Sequence, residues 1–89
     1  MKKKYIISNN LGINPKKATS LVYTANKFKS DIFVYFNETK ANLKSIMSFM
    51  SLGLSKGDEI EIEIKGIDEK EAFDEISSII RNLKIAMEI

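Results

Sequence analysis

Between Glu59 and Lys65 the chain reads "EIEIEIK", three isoleucines alternating strictly with three glutamates. A period of two places Ile60, Ile62 and Ile64 on one face of a strand and the glutamates on the other. One face of the sheet holding this strand is therefore apolar and covered, and the other is wet, the signature of an antiparallel sheet with helices on one side only. The carboxylates on the wet face read as solubility and edge protection rather than as acid–base machinery.

Other segments fit that frame. "KKYIIS" (Lys3–Ser8) predicts a short strand, ended by Asn9, Asn10 and Gly12. From Pro15, apolar residues at Ala18, Leu21, Val22, Ala25 and Phe28 mark one face of a helix running to about Lys27. "DIFVYF" (Asp31–Phe36) is β-branched and aromatic, a strand; "NET" turns, and "KANLK" returns as an antiparallel partner. "SIMSFM" (Ser45–Met50) places a serine ahead of a short helical run that Gly53 closes. Asp68 followed by Glu71 reads as a capping box before a long amphipathic helix through Ala72, Phe73, Ile76, Ile79, Ile80 and Leu83. The order β-α-β-β-α-β-α, in 89 residues with no linker or repeat, predicts one α+β domain over residues 1–89.

What is missing narrows the chemistry. The chain has no cysteine and no histidine. Disulfides, thiolate zinc sites, thiol nucleophiles and an imidazole base are excluded, no metal or cofactor is implied, and the expectation is a non-enzyme. A net charge of +2 gives no nucleic-acid footprint, so no direct nucleic-acid partner is expected. No apolar run approaches the roughly 18 residues of a membrane span, which predicts a cytoplasmic protein with no membrane contact. "GLSKG" lacks phosphate-loop spacing and reads as structural.

Two places ask for more than solubility. In "NPKKAT", Asn14 is a good N-cap and Pro15 a good first helical residue, yet Lys16 and Lys17 oppose the helix dipole at roughly 0.3–1 kcal/mol each. They are either a solvated helix end or an anion site of Asn14, Lys16 and Lys17, where backbone N–H groups and two cations meet. Ile46, Met47, Phe49 and Met50 lie on a helix too short to bury every side. They are core, or Ile46, Met47 and Met50 form an adaptable protein-binding patch.

"NLKSIMSFMSLGLSKGDEI" (Asn42–Ile60) resembles the regulatory-serine segment of HPr, the histidine-containing phosphocarrier of the bacterial sugar phosphotransferase system. The resemblance extends through "ATSLVYTANKF" and "KGIDEKEAFDEI". It implies an HPr-like open-faced β-sandwich, a four-stranded antiparallel sheet covered on one face by three helices. The family's active-site motif is Gly-Leu/Ile-His-Ala-Arg-Pro-Ala, where this chain has Gly12-Ile13-Asn14-Pro15-Lys16-Lys17-Ala18. By this resemblance Asn14 stands at the phosphorylated histidine's position and Lys16 at that of the arginine. An amide nitrogen, delocalised into its carbonyl, is no nucleophile, so phosphate carriage on histidine is expected to be lost.

Ser45 matches the family's regulatory serine, the substrate of HPr kinase/phosphorylase in Gram-positive bacteria. There the phosphorylated protein acts as corepressor of a catabolite-control transcription factor. A catabolite-repression branch of the family also lacks the histidine and keeps the serine. The implied function is a Ser45-phosphorylated regulator contacting partners through Ile46, Met47 and Met50, with Lys44 and Lys16 partly neutralising the phosphate. The alternative is an HPr-fold module that binds a protein or an anion and is not phosphorylated.

Overall fold

A computed structural model describes all 89 residues. Strands β1 (Lys2–Ile7), β2 (Asp31–Phe36), β3 (Thr39–Asn42), β4 (Glu59–Lys65) and β5 (Ala86–Glu88) form one antiparallel sheet. Helices α1 (Pro15–Ala25), α2 (Ile46–Met50) and α3 (Glu69–Asn82) lie between them in the chain.

The alternation in β4 sets the register. Ile62 faces Lys3 of β1 and Val34 of β2, while Glu61 faces Lys4 and Tyr35. Ile60, Ile62 and Ile64 are buried and belong to one core with Tyr5, Ile7, Ile32, Val34, Leu21, Ile76 and Ile80. A slip of one residue would place three glutamates in that core, so the pairing is strongly specified. The opposite sheet face is left without helices, as the alternation requires.

The sheet has five strands, not four, in the order β3-β2-β4-β1-β5. After α3 the chain reverses through a Schellman turn: Ile85 N–H donates to Ile80 O and Lys84 N–H to Arg81 O. Lys84 sits in the left-handed region at φ 54°. The reversal brings Ala86–Glu88 alongside Ile7–Tyr5. Only a short alternation in "IAMEI" signals this strand, too little to separate from a helix tail.

β4 is the central strand, so its glutamates protect no edge. They serve cross-strand pairing instead: Lys2 lies 3.7 Å from Glu63, and the Tyr35 hydroxyl donates to Glu63 Oε1 at 2.9 Å. That bond lowers the pKa of Glu63 and raises that of Tyr35, because it favours the carboxylate as acceptor and the phenol as donor.

Asp68 forms no capping box, since its side chain makes no bond to the first turn of α3. It accepts instead from Lys29 N–H (2.8 Å), Ser30 N–H (2.9 Å) and Ser30 Oγ–H (2.5 Å), fastening α3's start to the turn between α1 and β2. The Ser30 hydroxyl, then the backbone donors, hold the Asp68 carboxyl down at about 2. Gly66 permits this approach, for a Cβ there would lie 2.6 Å from Ser30 Cα and Oγ. Helix α1 ends at Ala25 rather than near Lys27, because Lys27 and Phe28 donate to carbonyls three residues back and tighten the chain out of the α-helix.

Candidate functional site

The candidate residues lie at two helix starts, that of α1 and that of α2, and the two helices pack against each other with the start of α1 near the end of α2. Asn14 is the N-cap of α1, in extended conformation at φ −79° and ψ 164°, and its Oδ1 accepts the Lys17 N–H at 2.8 Å. The main-chain carbonyl of Asn14 accepts from Ala18. Pro15 has no N–H to offer, so the Lys16 N–H is the one first-turn donor left without a protein acceptor. An anion here would meet that single N–H and the ammonium groups of Lys16 and Lys17, fewer donors than a bare helix end presents. Lys16 is exposed and Lys17 half-buried.

Gly12 shapes the approach to Asn14. It has φ +69°, and a Cβ at that position would stand 2.4 Å from Leu54 O, so the backbone of the two loops closes only on glycine. Ile13 then faces α2: with Phe49, Met50, Gly53 and Leu54 it lines a cleft of about 60 Å³.

At α2 the cap is Ser45, whose Oγ accepts the Ser48 N–H at 3.2 Å. Ser48 in turn accepts the Asn42 N–H on its own Oγ at 3.0 Å, so an S-x-x-S pair ties strand end to helix start. Ser45 is half-buried. Of the apolar residues that follow, Phe49 is core at 2% exposure, whereas Met47 is 81% exposed, Ile46 38% and Met50 36%. The helix thus divides its side chains, with one anchor inward and three facing solvent.

Lys44, next to Ser45, makes long-range bonds of its own. Its Nζ donates to Phe28 O at 2.7 Å, and its carbonyl accepts from Asn26 Nδ2 at 3.0 Å. These bonds join the end of α1 to the start of α2 across 16 and 18 residues of sequence. Nothing local in "NLKS" announces them. Elsewhere, no group of three or more His, Cys, Asp or Glu side chains is placed to hold a metal ion, and no helix is long and apolar enough to cross a membrane.

An open-faced antiparallel sheet covered on one side by three helices is the HPr-like α+β fold. Residues 1–82 match the PTS-HPr family, described as the PTS HPr component phosphorylation site, and the chain belongs to the HPr family. It superposes on the histidine-containing phosphocarrier protein of Mycoplasma with a TM-score of 0.93 at 32% identity, over 97% of this chain and 98% of that one. HPr-C-His from Thermoanaerobacter tengcongensis gives 0.86 at 36% identity, covering 92% of each. Crh, the catabolite-repression protein of Bacillus subtilis, described as a swapped, intertwined dimer, gives 0.72 at 35% identity over 83% and 85%. Within this family of phosphocarriers the present chain has no histidine at all.

Proposed function

We propose that this HPr-family protein is a regulator in carbon catabolite control that acts through phosphorylation of Ser45 and carries no phosphate on histidine. One observation carries the reading: Ser45 caps a five-residue helix whose next residues, Ile46 and Met47, are exposed, while the chain lacks any imidazole. By the resemblance to the family motif, Asn14 stands where the phosphoacceptor histidine would be. Its amide already serves as a helix cap and supplies no nucleophile.

A phosphate on Ser45 adds about −1.5 to −2 charges at the positive end of α2, a favourable place for an anion. It sets that charge beside Ile46, Met47 and Met50, giving a partner an apolar anchor and a contact that depends on phosphorylation. The modifying enzyme is an HPr kinase/phosphorylase and the partner a catabolite-control transcription factor, both cytoplasmic. The likeness to Crh supports this assignment.

Exposed Lys16 and half-buried Lys17 support a second reading, an unphosphorylated HPr-fold module that binds an anion or protein at the start of α1. Incubation with ATP and an HPr kinase, followed by mass spectrometry of the wild type and Ser45→Ala, separates the two. The regulator gains one phosphate and the variant none. An unmodified wild type beside a modified control HPr selects the second reading.

A further inference from the structure

An open cavity of about 950 Å³ lies between the Ser8–Leu11 loop, the first turn of α1, the end of α3 and β5, and neither Asn14 nor Ser45 lines it. Buried Tyr5 and Ile80 close its floor, exposed Leu11 and Met87 give it apolar walls, and the Tyr5 hydroxyl is already satisfied by Ser77 Oγ at 2.9 Å. Three cations also line it: Lys17 from α1, and Arg81 and Lys84 from the end of α3. Arg81 is the only arginine in the chain.

None of these three cations has an acidic partner. The four ion pairs of the protein use the amino terminus, Lys2, Lys3 and Lys27. Glu88, the one acidic residue lining the cavity, is taken by Lys3. Cations at the end of α3 have an ordinary role, offsetting the negative end of that helix. Lys17 has none, because it sits at the positive end of α1 and still lines the same cavity. Three like charges, from the start of α1 and from the end of α3 and the turn after it, line a partly apolar space without an acidic partner of their own, an arrangement that an anionic occupant relieves.

We infer that this cavity binds a small organic phosphate, with the phosphate among Lys17, Arg81 and Lys84 and the organic body against Leu11 and Met87. A dianionic phosphate matches three cations better than a single carboxylate, and Arg81 offers it a planar fork of donors. The volume is that of a small-molecule site. The site is independent of Ser45 and of its modification.

The test is amide NMR of the ¹⁵N-labelled full-length protein titrated with phenyl phosphate, and separately with inorganic phosphate and with phenol. Phenyl phosphate is expected to give saturable shifts in residues 8–11, 17, 80–84 and 86–88, and to bind more tightly than either half alone. Arg81→Gln and Lys84→Gln, both at exposed positions, each weaken it about ten-fold, the usual effect of removing a charge-assisted contact. Lys70→Gln, at the other end of α3, leaves binding unchanged, and each variant's spectrum reports its fold. Non-saturable shifts overturn the proposal, as do shifts confined to residues 14–17 or equal weakening by Lys70→Gln.

Discussion

The side-chain oxygen of Asn14 and the backbone N–H of Lys17 are joined at 2.8 Å, so Asn14 is a structural cap of α1. A carboxamide does with its oxygen what a helix start needs, and has nothing left that attacks phosphorus.

Asn14→Ala is therefore expected to cost about 1 kcal/mol by removing that cap, whereas Asn14→Asp should be close to neutral or stabilising near the helix's positive end. Urea denaturation with a common m-value checks both.

Phosphoryl transfer gives a second expectation. With phosphoenolpyruvate and the first enzyme of the phosphotransferase system, the wild type takes up no acid-labile label. Asn14→His restores little, since Lys16 offers a point charge where the family's arginine offers a planar fork. Robust labelling of the wild type would contradict the non-carrier reading.

In α2, exposure predicts opposite consequences for neighbouring residues. Met47→Ala leaves stability within about 0.5 kcal/mol but weakens partner binding by the phosphorylated protein. Phe49→Ala costs about 3–5 kcal/mol, because its ring is in the core. Thermal unfolding and a binding titration on each variant separate the two roles.

Asp68 predicts a pH dependence. Its carboxyl is held at about 2 against an ordinary 3.8, so folding favours the ionised form. Its contribution is complete above the ordinary value and is lost as pH falls from there through about 2. Asp68→Asn removes this dependence: the gap between wild type and variant is constant at neutral pH and closes across that acid window. Denaturant titrations from neutral pH to pH 2 measure it.

The amino-acid sequence by itself determined the alternation of β4 and hence which face is covered, the caps at Asn14 and Ser45, and the absence of an imidazole. Each depends on residues two to four apart, or on composition, and such relations survive in any fold that keeps the local backbone. Other features were decided by tertiary structure. Lys44 bonds Phe28 across 16 residues and Asp68 bonds Ser30 across 38, and no local pattern encodes either partner. β4 became central because β1 and β2 pair on its two sides, and Ala86–Glu88 became a strand because β1 presented a free edge where α3 turned back. The cavity lined by Lys17, Arg81 and Lys84 exists for the same reason: packing of distant elements brings together charges that the chain keeps more than sixty residues apart.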